Sequence, residues 1–446
     1  MAAPGRERWS GQAGFVLAAV GSAVGLGNMW RFSYLAAENG GAAFVILYVG
    51  LTLAVGIPVL LAELAIGRGA QQSPIRALGH FGGPAWKPLG FVFVLAGFVI
   101  LSYYGVIAGW TLRYAWIAIT SGFGADIAER FGDISEGPDA FLFHLGFMAL
   151  TIAIVGSGVK AGIERASVVL MPALFAIVAG LALWAATLEG AGAGYTYYLS
   201  ADFSKLWHPA VIKDAAGQAF FSLSLGMGAM LTYASYLERN QNLPNESVVI
   251  AGVDVAIAFV AGLVVFPLIF ALGLSDKVGA STVGALFITL PQAFAEMGGV
   301  GRVVGLLFFF ALIVGALTSA MSLLEVVVSS AMDGLGWSRA RAALVGGGAI
   351  TALGAFSAFD IRVLDVSDQF ANNILLLGGG FALCVFVGWV MPDPESEIRA
   401  GSGEVPWAGI WRLLLRFIVP VFLGYVLYFS VPDTLRAIAG LVAGSP

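Results

Sequence analysis

The sequence predicts an all-α protein that crosses a membrane about eleven times, and three observations carry that prediction. Hydrophobic residues make up 59% of the 446-residue chain and charged residues only 11%, where a soluble domain carries about 25% charged residues. Apolar windows of about 18 residues or more follow one another along nearly the whole length. These runs are continuous instead of alternating, which excludes a transmembrane β-barrel.

Spans are expected at about 11–37, 41–68, 89–120, 141–158, 163–187, 210–237, 245–273, 299–333, 338–357, 369–391 and 407–431. The first follows Arg6 and Arg8 and has no small-residue cleavage site, so it reads as a retained helix and not a signal peptide. The second contains a buried acid, Glu63, and the fifth opens between Gly162 and Pro172, a pair that weakens one half of a helix. The sixth, seventh and eighth carry Ser222, Asp254, and Thr318 with Ser319 at membrane depth. The tenth holds Cys384, the single cysteine, so no disulfide forms within the chain and a cysteine metal site is not expected. The eleventh stops at Pro432 and Asp433, because the remainder is too short to cross ~30 Å of hydrocarbon. Lys and Arg gather in the loops that share a side with the N-terminus, and Gly124–Asp139 is acidic. That asymmetry predicts a cytoplasmic N-terminus and an outer C-terminus in a cell's plasma (inner) membrane. Residues 188–209 and 276–298 read as semi-polar outer segments, the second as a re-entrant helical lid.

Two short stretches interrupt this pattern. Ala23–Gly27 (AVGLG) and Ser224–Gly228 (SLGMG) each place two glycines near the middle of a span, the first and the sixth. Five spans separate them, so the second set of five enters from the opposite side. Paired breaks in matching halves predict an inverted repeat with a binding site at the bilayer midplane. One transporter domain, 1–446, is therefore expected, with repeats 11–187 and 210–391 followed by helix 407–431. Gly21 and Gly25 taken alone fit a small-residue packing face between helices. Two matched breaks flanked by oxygen donors favour a site. Unwound backbone cannot face lipid, whereas half-helix N-termini attract anions and freed carbonyls hold cations.

Asn28, Ser222, Asp254, Thr318 and Ser319 supply hard oxygen donors that suit Na⁺. A lone Ser or Thr more often bonds back to its own helix, but an intramembrane carboxylate is a functional candidate by default. Glu63 is expected to cap backbone amides of a neighbouring broken helix. No nucleophile–base arrangement occurs, and His80, His144 and His208 lie apart in loops or at span ends, so no enzyme is expected. GLGNMW does not satisfy a dinucleotide fingerprint, and no basic cluster implies nucleic acid.

The segments RERWSGQAGFVLAAVGSAVGLGNMWRF and GQAFFSLSLGMGAMLTYASY resemble the first and sixth helices of the neurotransmitter:sodium symporter family, and the likeness extends over essentially the whole chain. The Gly162/Pro172 pair and Met227 resemble most its bacterial branch that carries hydrophobic amino acids. The resemblance implies two sodium sites. Ala23, Asn28, Ser222 and Asp254 match the first, which the substrate carboxylate completes; Gly21, Val24, Gly315, Thr318 and Ser319 match the second. It implies a substrate pocket of Ala23, Leu26, Gly27, Ile100, Tyr104, Phe221, Ser222, Ser224, Met227, Ser319 and Leu323. It also implies an outer gate of Arg31 with Asp368, and an inner gate of Arg6, Trp9, Tyr236 and Asp333.

Monoamine carriers of that family place an Asp where this chain has Gly25, which points here to amino acids as substrates. Other members have Asn at the position of Asp254, with Glu or a chloride-binding Ser one turn later; here that later residue is Ala258. Asp254 is expected to supply the missing negative charge, to couple a proton, or only to adjust sodium affinity. The function implied is a sodium-coupled importer of large aliphatic or aromatic L-amino acids, with a non-transporting receptor or channel as the alternative. Its partners are the amino acid and the bilayer; no obligatory protein partner is inferred.

Overall fold

The computed structural model describes residues 7–124, 126–273 and 285–443. Among them, nine helices are long and apolar enough to cross a bilayer: Ala42–Ala70, Pro84–Ile119, Pro138–Gly156, Val159–Ala185, Leu243–Ala271, Gly298–Leu335, Arg339–Phe359, Ile361–Val390 and Ala408–Val442. A further crossing is the pair Gln12–Ala23 and Gly27–Glu38, which meet at 54°. The remaining one is interrupted between Pro209–Ser222 and Ala229–Ala234. Numbered in chain order, the bent pair is helix 1, the interrupted one helix 6 and Ala408–Val442 helix 11.

Both breaks fall where glycines crowd the sequence, and the reason is local. At Val24 the backbone turns extended (φ −78°, ψ 99°), and the Gly25 N–H then donates to Asn28 Oδ1 at 3.0 Å. In helix 6, Ser224, Gly226 and Gly228 all take positive φ, 54°, 75° and 70°. A side chain at Gly226 would put its Cβ 2.2 Å from the Leu376 carbonyl oxygen, so the linker threads through a gap only glycine fits. Glu63, fully buried in helix 2, caps the exposed amides as expected: it accepts from Gly226 N at 2.8 Å and Leu231 N at 3.2 Å.

Two boundaries differ from the sequence reading by eight residues or more. Helix 10 begins at Ile361, eight residues before the expected 369, because the Asp360 side chain caps it at the Arg362 amide. Helix 11 runs through Pro432 to Val442. A proline removes one backbone bond, and the Leu, Arg and Ala residues that follow are good helix formers. Of the expected lid over 276–298, residues up to 284 lie outside the described residues; Ala285–Thr289 and Leu290–Glu296 are helical.

Helices 3, 4, 8 and 9 pack together most extensively. His144 is buried inside helix 4, not at a span end, and lies against glycines of two neighbours: a Cβ at Gly105 or Gly354 would come within 2.9 and 2.5 Å of its ring. Helices 1 and 6 lie beside this block, so the two breaks face each other near mid-span.

Candidate functional site

The first cluster is built on helices 1, 2, 6 and 7. Ser222 Oγ lies 2.8 Å from both Asp254 carboxylate oxygens, and Asn28 Nδ2 donates to Asp254 Oδ1 at 2.6 Å and to Ser222 Oγ at 2.9 Å. Tyr48 from helix 2 donates its hydroxyl to Asp254 Oδ2 at 2.9 Å. All four residues are almost completely buried. A buried carboxylate is stable only when hydrogen-bonded or paired, and three side chains converge on this one. Tyr48 was not singled out from the sequence. The available signal was a tyrosine in a largely apolar span, since a buried phenol needs a polar partner.

The second cluster lies on the other side of the helix 1 break. A Cβ on Gly21 would lie 3.0 Å from Thr318 Cβ, and one on Gly315 would lie 3.5 Å from the Val24 carbonyl oxygen. Ser319 Oγ is 3.5 Å from the Gly21 carbonyl oxygen and 3.2 Å from that of Ser22. Thr318 bonds back to Val314 and Gly315, both at 3.1 Å. The five residues expected together thus share one neighbourhood, rich in carbonyl and hydroxyl oxygens. Among the described residues no group of three or more His, Cys, Asp or Glu could hold a metal ion; both clusters are built chiefly of neutral oxygens.

Between the clusters lies a narrow cavity. Ala23, Gly27, Ile100, Tyr104, Phe221, Ser222, Ser224, Met227, Ser319 and Leu323 line it, together with Ser22 and Gly25. Leu26 is buried but does not line it, and its N–H donates to the Tyr104 hydroxyl at 3.3 Å. Ser22 bonds Ser322 Oγ at 2.6 Å and accepts Ser224 Oγ on its carbonyl at 2.9 Å, tying the two breaks and helix 8 together. Gln218, also absent from the expected set, reaches the Gly27 carbonyl at 3.0 Å.

Contacts among the expected gate residues differ between the two ends of the cavity. At the N-terminal mouth the Trp9 indole donates to the Tyr233 carbonyl at 2.9 Å and packs on Phe15, Tyr233 and Tyr236. Arg6 lies outside the described residues. Asp333 accepts from Ser73 N at 2.7 Å, and Tyr236 donates to Glu325 at 2.5 Å. Glu325 in turn pairs with Arg339 at 2.7 Å, whose Nε reaches Glu7 at 2.7 Å. Glu164 accepts from the backbone and hydroxyl of Ser10, fastening the N-terminal segment to helix 5. At the opposite mouth Arg31 and Asp368 form no ion pair within 4.0 Å among the described residues. The Arg31 guanidinium stands 5.5 Å over the Phe221 ring, and Asp368 accepts from Asn372 at 2.7 Å.

A model of the sodium:neurotransmitter symporter family matches residues 6–126 and 140–437. The chain belongs to that family. Among its relatives, the uncharacterized sodium-dependent transporter YhdH of Bacillus subtilis (strain 168) is 35% identical over 435 residues, 93% of this chain and 95% of the relative. An uncharacterized sodium-dependent transporter of Haemophilus influenzae is 32% identical over 94% of this chain and 96% of its own. The crystal structure of MhsT in complex with L-phenylalanine matches with a TM-score of 0.87 at 41% identity, covering 96% of this chain and 100% of that one. The symporter therefore has the fold predicted from its two broken helices, and sodium-coupled transport across a membrane is its activity.

Proposed function

We propose that this symporter imports large aliphatic or aromatic L-amino acids, with two Na⁺ per substrate and without chloride. One observation carries the substrate class: the cavity between the breaks sets Ile100, Phe221, Met227 and Leu323 against the polar turns of helices 1 and 6, with Gly25 where an amine-binding acid would stand. MhsT, seen with L-phenylalanine, supports the same reading. The unwound amides of helix 1 and the Tyr104 hydroxyl receive the substrate carboxylate, and the apolar wall receives its side chain. The first Na⁺ takes oxygens from Ala23, Asn28, Ser222 and Asp254, and from that same carboxylate, so ion and substrate bind together. Asn28 now points Nδ2 at Asp254; loading turns the amide over so that Oδ1 faces the ion. The second takes the carbonyls of Gly21, Val24 and Gly315 with the hydroxyls of Thr318 and Ser319.

Two positive charges moving inward release ~2.3 kcal/mol each per 100 mV, and a tenfold sodium gradient adds about 1.4 kcal/mol per ion. Together these support accumulation of up to ~10⁵-fold under perfect coupling. Rocking of helices 1, 2, 6 and 7 against the rest opens the mouths in turn. Arg31 and Asp368 close the outer one; Arg6, Trp9, Tyr236 and Asp333 close the inner one. Lys and Arg near the N-terminal mouth set that mouth in the cytoplasm.

Sodium-dependent uptake of a panel of labelled amino acids into proteoliposomes tests this reading. Uptake and counterflow of hydrophobic amino acids in chloride-free medium is the expected result. Binding without counterflow would mean a receptor or channel. For the charge role of Asp254, the Asp254→Asn variant is expected to lose chloride-free uptake; unchanged uptake would remove that role.

A further inference from the structure

Helices 10 and 11 meet at a place the transport cycle leaves unexplained. Each widens into a π-type turn there, over Phe386–Val390 and Leu414–Ile418, and such turns are frequent at functional sites. Gly388 lets the two backbones touch: a Cβ there would lie 2.7 Å from Arg416 Cα. The widened turn leaves the Arg416 carbonyl free to accept from the Trp389 indole at 3.2 Å. The Arg416 guanidinium then stacks 3.9 Å above the Trp389 ring and 5.7 Å from that of Phe417. The aromatic pair is about half exposed, at 52% and 49%, among the lipid-facing Ile418 and Val421.

Depth gives this arrangement its meaning. Helix 11 has 35 residues, about 52 Å at 1.5 Å per residue, against ~30 Å of hydrocarbon. Centred in the bilayer, it projects about 11 Å at each end. Arg416 stands eight residues from its start, about 12 Å along the axis, and so at the boundary between hydrocarbon and headgroups. That boundary is the one on the side of Arg68 and Arg239, which the segment between the helices reaches through Glu397. Arg412, one turn earlier, pairs with Glu395 at 3.2 Å. Arg416 has no carboxylate within 4.0 Å among the described residues, and its buried Nε has no hydrogen-bond partner. A charge in the membrane without a counter-ion in its own chain is costly.

We infer that Arg416, stacked on Trp389 and Phe417, binds the phosphate of an anionic phospholipid. The guanidinium fork suits two phosphate oxygens, and the aromatic pair holds its plane toward the headgroup layer, where Trp is favoured.

Native mass spectrometry of the delipidated full chain, titrated with phosphatidylglycerol or phosphatidylcholine, tests this. Wild type is expected to retain phosphatidylglycerol preferentially. Arg416→Gln is expected to lose about fivefold in affinity for one such lipid, the effect of one basic residue near a lipid surface. Arg412→Gln is expected to leave that lipid in place. Trp389→Leu, which keeps the charge and removes the platform, is expected to weaken retention and serves if Arg416→Gln does not fold. Equal retention by wild type, Arg416→Gln and Trp389→Leu overturns the site. So does displacement of the lipid by equimolar inorganic phosphate, which would mean a free-anion site. A dimer that dissociates in Arg416→Gln also overturns it, since a second copy would then cover this face.

Discussion

Replacing Glu63 with Gln changes one atom's chemistry at the least forgiving point of helix 6. Its two carboxylate oxygens accept two N–H groups, from Gly226 at 2.8 Å and Leu231 at 3.2 Å. The side chain is fully buried. The linker also has no room to shift, since a Cβ at Gly226 would stand 2.2 Å from the Leu376 carbonyl oxygen. Glutamine keeps the shape but offers one oxygen, so one N–H then faces an NH₂ group. Losing a hydrogen bond to a charged acceptor costs about 1.5–3 kcal/mol, and the stranded donor raises the total to about 2–4 kcal/mol. The expected result is a Tm lower by several degrees in detergent, with weaker amino-acid binding by scintillation proximity, because Ser222, Ser224 and Met227 flank the same turn. Glu63→Ala, which also opens a cavity, is expected to fall further. A Gln variant matching wild type in both readouts would refute the reasoning: the carboxyl would then be protonated, its O–H facing an N–H without the cost assigned here.

Other substitutions test the neighbouring parts. Tyr48→Phe removes one donor from Asp254 and is expected to raise the sodium concentration for half-maximal amino-acid binding about tenfold, the equivalent of ~1.5 kcal/mol; an unchanged sodium titration would show that the phenol serves packing alone. Gly25→Asp brings a Cβ within 2.5 Å of Ser319 Oγ and 3.0 Å of the Tyr104 hydroxyl, and is expected to abolish amino-acid binding in a protein that still elutes as a single species. Retained affinity would mean that the substrate lies elsewhere.

The two breaks were legible because backbone that leaves a helix needs glycine, and glycine in a span is conspicuous. The same reasoning found Glu63, since a lone acid in an apolar run must be answering unsatisfied amides. Tyr48 escaped notice because aromatic residues in spans usually face lipid or the interface, and only the fold brings it to Asp254. Leu26 was assigned to the pocket by family resemblance, but it does not line the cavity, because unwinding removes the 3.6-residue period that would fix where its side chain points. The start of helix 10 was hidden by Asp360, Arg362, Asp365 and Asp368, whose charges read as a loop. The π-type turns of helices 10 and 11 leave no compositional trace.

The glycines around His144 have a mechanical consequence. Where side chains are absent, helices 3, 4 and 9 approach until ring and backbone touch, and a contact so close has little compliance: a small displacement meets steep repulsion. Helix 8 is fastened to this stiff block, so the hydroxyls of Thr318 and Ser319 hold position like marks on a ruler. The Gly21 and Val24 carbonyls belong to a helix already severed at mid-span. A cation drawing on both would act as a gauge of the gap between them, and its residence time would be set by the excursions of one wall only.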